Sequence, residues 1–195
     1  MLLKPWYDVL NMRKELCEGV SQDWLEFTVN IEKIRHGQAL DEYRDPAQFF
    51  RATYLSHSLT RLAGNVMRRL LGDREHSAIF SISAPNGGGK SHALLLLHHL
   101  VKFGSEAVKW AGVPGLFAQA GVATLPAARL AAFVGTTFDS SKRRGGKRGE
   151  PVRKTPWGEL AFQLGGNDAF ALVAEDDGLM RAPSKETLQR LLPSG

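Results

Sequence analysis

The stretch Ala84-Pro-Asn-Gly-Gly-Gly-Lys90-Ser91 decides how the middle of this chain is interpreted. It follows the apolar run Ala78-Ile-Phe-Ser-Ile-Ser83 and leads into a second apolar run that begins at Ala93. A strand, a glycine-rich loop, Lys-Ser and a helix form the arrangement of a P-loop. The pattern therefore predicts that residues 84–91 hold the phosphates of a nucleotide.

Each position of this loop suits a phosphate chain. Glycines let backbone N–H groups turn inward where side chains would block the approach. A helix beginning near Lys90 adds its positive dipole end, Lys90 would reach the β- and γ-phosphates, and the Ser91 hydroxyl would bind Mg²⁺. The first glycine of G-x-x-x-x-G-K-[ST] is replaced by alanine. The predicted nucleotide-binding residues are Ala84, Pro85, Asn86, Gly87, Gly88, Gly89, Lys90 and Ser91.

Capping signals indicate a helical N-terminal region over residues 1–73. Capping-box spacing from Asp23 to Glu26 predicts one helix, and Asp45, followed by proline and then Gln48, predicts the start of another. A longer amphipathic helix is predicted from Ser56 to Leu71, with its arginines (Arg61, Arg68 and Arg69) largely on the solvent face.

Residues 74–195 are predicted to form a nucleotide-binding core. The order is a strand over residues 78–83, the glycine loop, a helix to about residue 103, and a second strand within residues 129–138. Further helices are predicted over residues 156–164, 168–175 and 184–192. This order predicts an α/β fold with a partial parallel sheet of the P-loop NTPase type, following the helical region.

Composition and charge indicate the cellular compartment and the kinds of partner. The 195 residues contain one cysteine, no signal pattern and no apolar run long enough for a bilayer, so we expect a cytoplasmic protein without a membrane partner. The net charge of +5 is concentrated in residues 142–154, which carry +6. We expect a mobile basic loop over residues 140–155. It is either a solvated insertion or a non-specific, salt-dependent contact for nucleic acid.

An ATPase also needs an acid at the end of a second strand, to orient water and to help hold Mg²⁺. Asp139 ends one predicted strand, and Glu175 and Asp176 follow an apolar run that alanines mark as helical. These three acids are the candidates within this chain, and the acidic strand itself is expected to lie outside it. The histidines that follow the loop (His92, His98 and His99) have no further ligand at metal-binding spacing, which favours packing or surface roles.

Several segments together resemble one family. They are Lys4-Pro-Trp-Tyr-Asp-Val, Tyr43-Arg-Asp-Pro-Ala-Gln-Phe-Phe50, Thr53-Tyr-Leu, Gly87-Gly-Gly-Lys-Ser-His-Ala93, Phe133-Val-Gly-Thr-Thr-Phe-Asp139 and Lys154-Thr-Pro-Trp-Gly-Glu-Leu-Ala-Phe-Gln-Leu-Gly165. This set resembles the N-terminal region of large bacterial and archaeal AAA+-like ATPases, often encoded in phage-defence islands. The resemblance implies ATP as the nucleotide, Lys90 and Ser91 as its ligands, and a chain that is the N-terminal fragment of a longer protein.

Two functions stay open at this point. The first is the ATP-binding part of an ATPase that couples hydrolysis to work on nucleic acid or in phage defence. The second is a nucleotide- or nucleic-acid-binding module without hydrolysis of its own. Other subunits or the missing C-terminal part are further expected partners.

Overall fold

The computed structural model describes residues 4–11, 29–138, 144–146 and 149–192. Within these ranges the helices are α1 (Trp6–Val9), α2 (Ile31–Arg35), α3 (Asp41–Arg44), α4 (Pro46–Ala52), α5 (His57–Leu70), α6 (Lys90–Phe103), α7 (Val113–Ala120), α8 (Pro156–Ala171), α9 (Ala174–Gly178) and α10 (Lys185–Leu191). Two 3₁₀ turns occupy Gly104–Lys109 and Gly135–Thr137. None of the described helices has the length and apolar character needed to cross a bilayer.

Side-chain caps fix the starts of several helices. The Asp45 carboxylate accepts the Ala47 N–H at 2.9 Å and starts α4, and the Ser56 hydroxyl accepts a backbone N–H at the start of α5. Both predicted starts are confirmed. The Asp23–Glu26 capping box lies outside the described residues, and α2 has its own cap, because the Asn30 side chain accepts two backbone N–H groups there.

Helices α4 to α7 share one apolar core. Its largest fully buried side chains come from all four helices and are Phe49, Phe50, Met67, Leu95, Leu96, Leu100, Leu116 and Val113. Helices α5 and α7 approach closely, since a Cβ built at Gly64 would already lie 3.5 Å from the Ala120 Cβ. Helix α6, which follows the glycine loop, packs against this core with its buried face.

The predicted α/β fold with a partial parallel sheet is wrong. The described residues contain no strand, and their β pairing is limited to an isolated antiparallel bridge between Arg144 and Arg153. The predicted first strand carries no regular structure, and Ile79 within it is 85% exposed. A strand becomes stable when neighbouring strands complete its hydrogen bonds. No neighbouring strand pairs with residues 78–83 in the described part of the chain.

The second predicted strand, within residues 129–138, is also absent. The Ala132 N–H donates to Gln163 Oε1 at 2.7 Å, and Gln163 Nε2 donates back to the Ala132 carbonyl at 3.0 Å. A side-chain amide from α8 therefore takes the place of a neighbouring strand. The segment then turns into the 3₁₀ turn at Gly135–Thr137 instead of continuing extended.

Candidate phosphate-binding loop

The glycine loop has a backbone that depends on glycine. Gly87 and Gly89 have φ values of 79° and 77°, a region that residues with a side chain rarely adopt. Gly88 has an ordinary φ, but a Cβ there would lie 2.7 Å from the Ala84 Cβ and 3.0 Å from the Pro85 carbonyl oxygen. The three glycines are therefore needed for different reasons: two for their left-handed backbone and one for space.

Helix α6 begins directly at the end of this loop. Gly89 is its N-cap and supplies no capping side chain, while Lys90 and Ser91 are its first two residues. The N–H groups of a first helical turn have no partner within the helix and carry the positive end of its dipole. The sequence therefore places uncapped backbone donors, one ammonium group and one hydroxyl at a single helix end.

Lys90 is folded back over the loop. Its ammonium group donates hydrogen bonds to the carbonyl oxygens of Ala84 at 2.6 Å and Pro85 at 2.9 Å. These contacts hold the cation beside the glycine backbone instead of extended into solvent. The loop therefore presents a positioned positive charge, which the two carbonyl oxygens hold in place.

Ser91 borders a large, mostly apolar cavity. Its volume is about 890 Å³, and it lies between α6 and residues 130–136. The α6 side of the cavity is formed by Ser91, Leu94, Leu97, His98 and Val101. Burial, with smaller contributions from the charges of His99, Lys102 and Arg35, lowers the pKa of His98 to about 4. His98 is therefore neutral at physiological pH, and the cavity wall stays largely uncharged.

The predicted acids are not joined to the loop. Glu175 and Asp176 lie on α9, where both accept hydrogen bonds from Arg181, at 3.1 and 2.5 Å. No hydrogen bond or ion pair links either carboxylate to residues 84–91 in the described part of the chain. Their predicted helical setting is confirmed. Asp139 lies outside the described residues.

Two cations of the basic segment have acidic partners. Arg144 Nη1 donates to Glu32 Oε1 at 2.7 Å, and Arg153 Nε donates to Glu159 Oε2 at 2.8 Å. Lys154 donates its backbone N–H to the Asp177 carboxylate. The remaining predicted cations fall outside the described residues and are Lys142, Arg143, Lys147 and Arg148. Part of the positive charge at residues 142–154 is thus neutralised within the protein.

The histidines near the loop take packing roles, as predicted. His99 is 2% exposed, lies against Phe49 and places Nε2 3.0 Å from the Tyr43 carbonyl oxygen. His92 also packs on Phe49 and places Nε2 3.0 Å from the Thr53 hydroxyl. Among the described residues, no group of three or more His, Cys, Asp or Glu side chains could hold a metal ion.

Sequence reasoning missed two buried carboxylates. Glu159 accepts hydrogen bonds from Arg153 and Gln163, and Asp177 accepts two backbone N–H groups and the Thr155 hydroxyl. Burial by itself would raise the pKa of Glu159, but its hydrogen bonds outweigh burial and leave that pKa below its ordinary value. Both acids hold the start of α8 in place. Neither stands in a sequence pattern that marks it as buried.

These features define a class of protein: a helical domain that carries a glycine-rich loop, followed by Lys-Ser, at the N-terminus of a buried helix. The model of the DUF499 N-terminal domain matches residues 8–115, which is more than half of the chain. The chain belongs to this family. No curated protein and no solved structure matches it.

Proposed function

We propose that residues 84–91 bind the phosphate chain of ATP. The observation that carries this proposal is the position of Lys90, whose ammonium group is held over a glycine loop at the start of α6. Backbone N–H groups at a helix N-terminus, together with a lysine, favour a polyphosphate electrostatically. A Cβ at Gly87 or Gly89 would meet nothing within 4 Å, so the backbone is open on these sides, which fits a loop that a phosphate approaches closely.

Mg²⁺ would accompany the triphosphate. Mg²⁺ prefers oxygen ligands and usually keeps several waters, so one protein hydroxyl plus phosphate oxygens forms a reasonable set. Ser91, exposed at the second position of α6, would supply that hydroxyl. The adjoining cavity of about 890 Å³ falls in the range of small-molecule sites, so there is room beside the loop for the rest of a nucleotide.

We further propose that this binding unit works inside a larger AAA+-like ATPase. The resemblance of its segments to such ATPases supports this, and the matched family model describes an N-terminal domain. In that setting, ATP binding would drive work on nucleic acid or in phage defence, in a reducing compartment such as the cytoplasm. The cations of residues 142–154 other than Arg144 and Arg153 would supply an electrostatic contact to nucleic acid.

The second candidate function is ATP binding without hydrolysis by this chain. The observation that favours it is the pairing of Glu175 and Asp176 with Arg181, which leaves the loop without an acidic partner among the described residues. Hydrolysis needs a group that orients the attacking water. Under this second function, the acid needed for hydrolysis would come from another part of a longer protein or from a partner subunit.

Calorimetry with ATP and AMP, each with Mg²⁺, tests the binding proposal. ATP should bind and AMP should bind at least tenfold more weakly, because AMP lacks the β- and γ-phosphates that Lys90 would contact. No heat of binding with ATP, or equal affinity for both nucleotides, would overturn it. A steady-state assay of the same sample separates the two functions: turnover of about 1 per second or more supports hydrolysis by this chain, and far slower turnover supports binding alone.

A further inference from the structure

A second, smaller cavity lies between α5 and the C-terminal end of α7. Its volume is about 120 Å³. On α5 it is lined at positions 57, 60, 61, 64, 65 and 68, which share one face of a helix with 3.6 residues per turn. The polar side chains around it are His57, Thr60, Arg61, Asn65, Arg68 and Gln119. Two arginines that sequence analysis placed largely on the solvent face thus border a defined cavity.

Arg68 is held in a fixed position at this cavity. Its Nε donates to the Ala120 carbonyl oxygen at 2.7 Å, and its Nη1 lies 3.3 Å from His76 Nε2. His76 Nδ1 in turn lies 2.9 Å from a carboxylate oxygen of Asp73. This chain of contacts orients the guanidinium group and leaves donors of Arg68 for a ligand. A planar guanidinium offers five N–H donors in a rigid fork.

The charge around the cavity has one sign. No carboxylate of the described residues lines it, and Asp73 contacts His76 without being part of the lining. No hydrogen bond or ion pair joins the Arg61 side chain to another described residue. Two guanidinium groups, with amide and hydroxyl donors between them, favour an anion. A volume of about 120 Å³ is well below the roughly 300–1,000 Å³ of sites for drug-sized ligands.

We propose that this cavity binds a single phosphoryl group. A tetrahedral oxyanion offers several acceptor oxygens, which suits a cavity bordered by the hydrogen-bond donors of Arg61, Asn65, Arg68 and Gln119. The site is separate from residues 84–91 and does not depend on them. The phosphoryl group comes either from free phosphate or from the backbone of a nucleic acid, and the same cavity chemistry serves both.

The test uses inorganic phosphate and matched arginine variants. The Nε–H signals of Arg61 and Arg68 are followed by NMR during titration with sodium phosphate, in the Lys90→Ala background to remove the cation of the glycine loop. Both signals should shift and saturate, whereas sodium chloride at equal ionic strength should give no saturable change. Arg61→Gln should weaken phosphate binding at least threefold. This variant should fold, because Arg61 is exposed and its side chain is bonded to no other described residue.

Arg69→Gln is the matched control. It removes the same charge from a residue of α5 that does not line the cavity, because Arg69 contacts the Asp73 carbonyl oxygen instead. Phosphate affinity should be unchanged in this variant. Equal weakening by Arg61→Gln and Arg69→Gln, or shifts that never saturate, would overturn the proposal, because both outcomes indicate a general charge effect without a site.

A short single-stranded oligonucleotide then distinguishes the two sources of the phosphoryl group. If the nucleic acid backbone is the ligand, Arg61→Gln should weaken oligonucleotide binding and reduce its salt slope by about 0.7. Arg69→Gln should have the smaller effect. If phosphate binds the cavity and the oligonucleotide does not respond to Arg61→Gln, free phosphate is the ligand.

Discussion

Lys90 donates a hydrogen bond to the carbonyl oxygen of Ala84, six residues earlier in the chain, at 2.6 Å. Ala84 is the position where the loop departs from the usual P-loop glycine, so its backbone still takes part although its side chain differs. An anion entering the loop would compete with this carbonyl for the ammonium group. A charged phosphate oxygen is a stronger partner for an ammonium than a neutral carbonyl oxygen. The contact therefore keeps Lys90 positioned without preventing phosphate from binding.

Replacing Lys90 with alanine should lower the affinity for ATP at least tenfold, or about 1.4 kcal/mol. The physical reason is the loss of the one side-chain cation that the loop holds beside its glycines. Lys102→Ala is the matched control, since it removes an exposed lysine near the opposite end of α6. Calorimetry that gives equal ATP affinity for wild type and Lys90→Ala would refute the assignment of the loop.

Gly88→Ala should also weaken ATP binding, by several fold, without removing any charge. The new methyl group would meet the Ala84 Cβ at 2.7 Å and the Pro85 oxygen at 3.0 Å, so the loop must shift. Gly115→Ala is the control, because a Cβ at Gly115 on α7 meets nothing within 4 Å. That variant should bind ATP normally and gain about 0.4–1 kcal/mol of unfolding free energy. If the two variants bind ATP equally well, the close packing at Gly88 has no part in binding.

Local signals predicted the helices of this protein well. Asp45, Ser56 and Ser184 each accept a backbone N–H at a helix start, where a side-chain oxygen replaces a missing helical partner. The start of α6 at Lys90 and its end before Gly104 were also predictable, because glycines stand on both sides. Two separate helices were predicted over residues 156–164 and 168–175. The break between them is confirmed, because Gly165 and Gly166 have non-helical backbone angles inside α8.

The strands could not be predicted in the same way, because a strand depends on partners that are distant in sequence. The apolar runs at residues 78–83 and 129–138 have suitable composition, but composition does not supply a hydrogen-bonding neighbour. At Ala132 the partner is the side chain of Gln163, 31 residues later. The buried carboxylate of Asp177 was missed for the same reason, since its partners Lys154 and Thr155 lie 23 and 22 residues earlier and only tertiary packing brings them together.

Glu159→Gln should lower the free energy of unfolding by about 3 kcal/mol, because it leaves Arg153 buried beside a neutral amide. The side chains of this pair are only 8% and 5% exposed. Arg153 keeps a longer contact with Glu150 at 3.4 Å, which limits the loss. Glu175→Gln is the comparison: its pair with Arg181 is exposed to solvent, so its loss should lower the free energy of unfolding much less than the loss of the buried pair. Urea unfolding of both variants measures the difference, and similar losses would contradict a special role for burial.

His98 should make the protein less stable as the pH falls from 7 to 5. Burial lowers its pKa in the folded protein to about 4, from an ordinary value of 6.5. The unfolded chain therefore binds a proton first, so the contribution of His98 is complete above pH 6.5, is lost progressively below it, and levels off below pH 4. Between pH 7 and 5 the loss from His98 should be about 1–2 kcal/mol. The pKa values of His92 and His99 are also lowered by burial and add to the loss in the same direction.

Urea unfolding at pH 7, 6 and 5 should show a shallower pH dependence of the unfolding free energy for His98→Gln than for wild type. Parallel curves for the two proteins would show that His98 is not held neutral by the fold.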